Sequence, residues 1–213
     1  MPPIPPITKW LLIVNVAAFF IDDLLRLTTG VMLGNWLALW PLGFGFLPWQ
    51  VVTYAFLHGD LVHLLFNMFG LWMFGAELER LWGGRRYLLF LAAGVLAGAL
   101  AFWGMVSVMP VFAAQVGASA GVYALILANG LLFPHRRITL IIPPVDMSMR
   151  TFIIGFVAIT IGFALFGGLN ELAHLGGMLG GWLVLRYWAG KPPFGGGGRG
   201  RRGGGSSGPR RLH

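Results

Sequence analysis

The chain has 213 residues, 57% of them hydrophobic and only 10% charged, where a soluble domain carries about a quarter charged. Its 15 basic and 7 acidic residues cannot cover a water-soluble surface while hiding this much Leu, Phe, Trp and Val, which excludes a soluble globular domain. The same hydrophobicity excludes disorder over most of the chain, and the absence of cysteine removes disulfides, thiolate metal sites and cysteine nucleophiles. The composition describes a polytopic membrane protein.

In chain order, MPPIPPITKW lacks the charged n-region and small-residue cleavage site of a signal peptide. A span needs about 20 helical residues, and the apolar stretches predict six, over residues 8–25, 60–82, 86–106, 116–133, 150–168 and 170–188. Residues 24–59 form a long external connection whose Trp-, Leu-, Pro- and Gly-rich sequence suits the lipid–water interface. No Lys, Arg, Asp or Glu stands between Tyr87 and His135, a stretch too long for one helix, and 107–115 with Pro110 is its natural break. Residues 1–190 thus read as one six-helix transmembrane domain. Residues 191–213 read as a disordered, Gly/Arg-rich cytoplasmic tail drawn to anionic lipid. No internal repeat supports an inverted-repeat transporter.

Charge sets the orientation. With both termini in the cytoplasm, fourteen of the fifteen basic residues fall inside and only Arg26 lies outside. This accounts for the net charge of +8 without nucleic acid. The chain is expected in the plasma (inner) membrane, with its polar layer opening to the extracytoplasmic side.

Polar side chains at membrane depth are expensive and usually functional. Spans 2, 4 and 6 all begin outside; His63 and Asn67 lie in the first two turns of span 2, and Ser119 and His174 in the first turns of spans 4 and 6, so all four share one layer. His63 and Asn67 are i,i+4, as are Ser119 and Tyr123. Gly117 and Gly121 form a G-x-x-x-G, and His174, Gly177 and Gly181 share a glycine-lined face, so spans 4 and 6 are expected to approach backbone to backbone. A serine and a histidine on such faces suit an activated nucleophile and its base. Each residue alone has a plainer reading: Ser119 bonded to its own helix, Asn67 as interhelical glue, Tyr123 as packing, His58 as a loop residue. His135 and His213 read as a loop residue and a chain end. No H-E-x-x-H accompanies His58, His63 and His174, so no metal site is expected and no cofactor is implied. No Asp or Glu is counted on the external half of a span, which predicts a Ser-His dyad.

The segments FLHGDLVHLLFNMFGLWMFGAELE, QVGASAGVYAL and AHLGGMLGGW, in that order, resemble the rhomboid family of intramembrane serine proteases in its minimal six-helix form. The resemblance implies Ser119 as nucleophile and His174 as its partner. It implies an oxyanion site of His63, Asn67 and the Ser119 amide, with Tyr123 under the histidine and His58 nearby. Glu79 matches a carboxylate at the inner end of span 2. Gln50, after Trp49, replaces a common arginine, and Leu169 stands where a glycine is common. The implied partners are transmembrane protein substrates and membrane lipid, with span 5 and the loop before span 6 as the entry side. The competing class is a non-enzymatic membrane protein, a transporter or helix-binding factor, whose polar layer would be a water path.

Overall fold

The computed structural model describes residues 3–109, 113–140, 144–166 and 168–190; the expected tail, 191–213, and the break at Pro110 lie outside the described residues. The first helix, α1 (Pro6–Thr29), is longer than its expected 8–25 and takes in Asp22, Asp23 and Arg26. Its end is set by Gly30, which adopts a left-handed φ of 73°. Its start is capped from afar. Glu79 accepts from the Ile7 and Thr8 N–H groups at 2.9 and 2.7 Å, and from the Thr8 hydroxyl at 2.8 Å. These amides belong to the first turn and have no acceptor within the helix.

The connection that follows is folded in place. It holds two single-turn helices, α2 (Gly34–Leu37) and α3 (Gln50–Thr53), then a 3₁₀ turn at Tyr54–Phe56. Fully buried Gln50 pins it: its carbonyl accepts from the Trp40 N–H at 3.2 Å, and its amide donates to the Trp36 and Gly45 carbonyls at 3.3 Å each. The position that departs from the family pattern is thus occupied by a neutral anchor.

The next stretch, expected as one helix over 60–82, is three pieces: α4 (Leu61–Gly70), a π turn (Leu71–Gly75) and α5 (Ala76–Trp82). A π turn spoils the regular i,i+4 ladder. Here Asn129 of a neighbouring helix donates to the Phe74 carbonyl at 3.2 Å. Then come α6 (Gly84–Val108), α7 (Ser119–Leu132), α8 (Met149–Leu165) and α9 (Leu169–Trp188). The all-α expectation needs one amendment. Between α7 and α8 stands an antiparallel hairpin, β1 (Arg137–Leu140) with β2 (Val145–Ser148), Arg137 opposite Ser148 and Leu140 opposite Val145. Arg136, just before it, pairs with both oxygens of Glu77 on α5 and ties the hairpin to the bundle.

Among the described residues, Leu61–Trp82 and Gly84–Val108 are long and apolar enough to cross a membrane, and α7 and α8 are shorter apolar helices. The packing that positions the site is centred on α9. Gly176 and Gly180 face α6, where a Cβ would meet the Ala101 and Ala97 methyls at 2.4 and 2.5 Å. Gly177 and Gly181 face α7, where a Cβ would lie 2.1 Å from the Ala120 carbonyl oxygen and 2.9 Å from the Ala124 methyl. Lipid tails are as apolar as leucine, so burial alone does not drive helices together in a membrane. Close backbone approach through small residues supplies dispersion contacts instead, and α9 makes them on two sides.

Candidate active site

Three helix starts converge. Asp60 caps α4 by accepting from the His63 N–H at 2.8 Å, which fixes the turn carrying His63. One turn on, Asn67 donates to the His63 carbonyl at 2.9 Å, leaving its second amide hydrogen uncommitted by that bond. The approach to α7 is held by the connection between α1 and α4: Leu39 and Gln115 exchange backbone hydrogen bonds, and the Gly117 N–H donates to the Tyr54 carbonyl at 2.9 Å. Tyr54 is itself fixed by donating to the Val95 carbonyl at 2.7 Å. Ser119 is the first residue of α7, so its N–H is one of the amides the helix cannot satisfy.

Across the α7–α9 contact, His174 Nε2 lies 2.7 Å from Ser119 Oγ. The Tyr123 ring stacks on the imidazole, centroids 4.1 Å apart and planes 21° from parallel. Phe156 of α8 packs against Tyr123 as well, centroids 4.7 Å apart. Ser119 is buried and the His174 side chain is 12% exposed, so the pair is shielded but reachable.

His63 joins from α4. Its Nδ1 accepts from the Gly59 N–H at 3.4 Å, which leaves Nε2 as the protonated nitrogen. Gly117 has φ of +116°, and the site of its missing Cβ lies 2.7 Å from His63 Nε2 and 3.6 Å from Ser119 Oγ. Only glycine leaves that space open. It is bordered by the serine hydroxyl and the His63 N–H, where a small negatively charged atom could be met by donors. His58 sits behind, buried, its ring 5.1 Å from that of His63. Burial, with His63 adding a smaller effect, pushes the pKa of this loop histidine down to about 4. Beside it lies a cleft of 480 Å³ whose lining includes Asp22, Asp23, Arg26, His58, Asp60 and Val116.

Two expectations about the site need correction. Gly117 and Gly121 do not form one close-approach face. Gly117 precedes α7, and Gly121 points at Leu91 and Val95 of α6 because the helix turns it away from α9. The tally of carboxylates also missed one. Glu171, in the first turn of α9, places Oε2 3.0 Å from His174 Nδ1. The i,i+3 spacing of Glu171 and His174 could have revealed it. Leu169, the other departure from the family pattern, has a side chain outside the described set.

Residues 45–190 match the model of the rhomboid domain. The chain belongs to the rhomboid family. Known rhomboids echo this: rhomboid protease GlpG of Yersinia pestis is 31% identical over 192 residues, covering 86% of this chain and 62% of that protein. Rhomboid protease GluP of Bacillus subtilis is 30% identical over 141 residues, 64% of this chain and 25% of GluP. Human rhomboid-related protein 3 is 42% identical over 81 residues, 38% of this chain and 19% of that protein. The chain therefore spans well under half the length of several curated relatives it matches. As a rhomboid it is a mostly helical, multi-pass membrane protein.

Proposed function

We propose that the chain is an intramembrane serine endopeptidase that cuts transmembrane proteins near the outer face of the membrane. The observation that carries this reading is the 2.7 Å contact between Ser119 Oγ and His174 Nε2 at the meeting of α7 and α9. In the proposed reaction Ser119 Oγ attacks the scissile carbonyl carbon while its proton passes to His174 Nε2. The carbonyl oxygen becomes an oxyanion held by the Ser119 N–H, the free Asn67 amide hydrogen and His63 Nε2–H. The intermediate collapses, the C–N bond breaks, and the leaving amine takes the proton from His174. Water, supplied through the cleft beside His58, then hydrolyses the acyl-enzyme by the same proton route in reverse.

We place six spans around this site, α1, α4–α5, α6, α7, α8 and α9, with both termini cytoplasmic, within a domain of residues 1–190 followed by the basic tail. The basic residues support the orientation, and the common starts of α4, α7 and α9 support an outer layer for the chemistry. A peptide bond in an intact helix is shielded by its own hydrogen bonds, so the substrate must unwind there, and small or helix-breaking residues suit the cleavage point. Lateral entry beside α8 follows the family resemblance.

The test is cleavage of a single-span reporter in proteoliposomes by wild type, Ser119→Ala and His174→Ala, with and without chelator. The reading expects cleavage by wild type alone, unaffected by chelator. Equal cleavage by all three, or a folded wild type whose Ser119 takes no fluorophosphonate label, overturns it and favours a non-enzymatic membrane protein.

A further inference from the structure

His174 meets a partner on each ring nitrogen. Nε2 faces Ser119 Oγ at 2.7 Å, and Nδ1 faces Glu171 Oε2 at 3.0 Å. A neutral imidazole has one N–H and one lone pair, and which nitrogen holds the proton is set by what the other bonds. Glu171 as a carboxylate can only accept, so Nδ1 must carry the proton for that bond to exist. This leaves the Nε2 lone pair toward Ser119, the arrangement a general base requires. Without an acceptor at Nδ1, the tautomer protonated at Nε2 becomes accessible, and it cannot take the serine proton.

We infer that Glu171 is a positioning residue that locks His174 in the Nδ1–H tautomer and stabilises the imidazolium formed during acylation, making the site a Ser–His–Glu relay. This rests on the protease reading above. Glu171 remains a carboxylate throughout; the serine proton goes to Nε2 and from there to the leaving amine. The groups facing the imidazole are Ser119 and Tyr123 from α7 and Glu171 from its own helix. Among these Glu171 is the anion. A plainer role exists, since an acidic residue in a helix's first turn complements the helix dipole. That role would affect stability and leave the tautomer and the chemistry untouched. The Glu171 side chain is 21% exposed, so its hold is weaker than that of the fully buried acid of a soluble triad.

The experiment compares wild type, Glu171→Gln, Glu171→Asp and Ser119→Ala in proteoliposomes. It measures kcat and KM on the reporter, the rate of fluorophosphonate labelling, thermal unfolding, and the 15N spectrum of histidine-labelled protein with His174→Ala to assign its signals. Glu171→Gln should lower kcat and labelling about ten- to hundredfold with KM unchanged, short of the roughly 10⁴ seen where a buried triad acid is neutralised. The His174 signals should move from the Nδ1–H tautomer toward a mixture, and Glu171→Asp should restore part of both. Unchanged kcat, labelling and tautomer in Glu171→Gln overturn the inference and leave Glu171 as a helix-end charge. So does a rate loss that tracks lowered thermal stability in both variants without a tautomer change. If Ser119→Ala still cuts, the protease reading fails and this inference falls with it; if Ser119→Ala is dead and Glu171→Gln is wild type, only this inference fails.

Discussion

Helices α8 and α9 are neighbours in sequence and both touch α7, yet they are held in different ways. Four glycines let α9 press its backbone against α6 and α7 at once. By contrast, α8 leans on its neighbours through rings, Phe152 on Phe74 at 6.3 Å and Phe156 on Tyr123 at 4.7 Å, and through one deep knob. That knob is Ile153, whose Cγ1 lies 2.1 Å from where a Cβ on Gly130 would stand. Toward its C-terminal end α8 is mostly uncovered beyond Thr160: Phe163 is 61% exposed and Leu165 80%. The element carrying His174 is thus fixed by backbone contact, while the element beside it has few buried contacts and a low cost of displacement. The proposed protease, holding 2.7 Å geometry while admitting a substrate helix from the side, needs both kinds of packing.

The sharpest way to break this contrast is Gly177→Val. With no room between α9 and the Ala120 carbonyl, it should cost about 3 kcal/mol or more and abolish cleavage, read by thermal unfolding in detergent and by the reporter assay. Next, Gly117→Ala puts a methyl into the space between His63 and Ser119. Cleavage should fall about 10²–10³-fold, with a stability loss near 1 kcal/mol from the positive φ, so that activity and unfolding separate. His58 probes the connection between α1 and α4. Above its ordinary value of 6.5 it is neutral in both folded and unfolded chains; as pH falls toward about 4 the unfolded chain takes a proton that the folded one refuses. Stability should therefore decline by about 2–3 kcal/mol across that window, and His58→Gln should flatten the decline in thermal unfolding scans. Ile153→Ala should cost about 1–2 kcal/mol, less than in a soluble core because lipid replaces part of the lost contact. Smallest of all, Leu165→Ala should change stability by under about 0.5 kcal/mol while sitting only twelve residues further along the same helix.

Much of the site could be read from residue type and spacing. His63, Asn67, Ser119 and His174 are polar residues in the first two turns of apolar helices, and the expense of burying them is visible in any hydropathy pattern. Helix starts and stops were less legible because they depend on partners far away: α1 begins where Glu79 can cap it, and α7 begins at Ser119 because Gly117 takes a positive φ under the His63 ring. The hairpin was legible in retrospect, since Arg-Ile-Thr-Leu and Val-Asp-Met-Ser each alternate about the prolines between them. Glu171 was missed although its spacing from His174 was plain. The π turn had no sequence signature, because its free carbonyl is satisfied by Asn129, 55 residues on.

That turn has a consequence for the chain as a linear code. Five residues spent on a wider coil act as a phase shifter, rotating everything after Gly75 relative to everything before Leu71. His63 can then border the space beside Ser119 while Glu79, on the same rod, points at the amides of α1. Removing a single residue from Leu71–Gly75 would re-time the rod by about 100° and send one of these two groups to the wrong address. The two ends of the rod can therefore be tuned in sequence independently only while that surplus residue is kept.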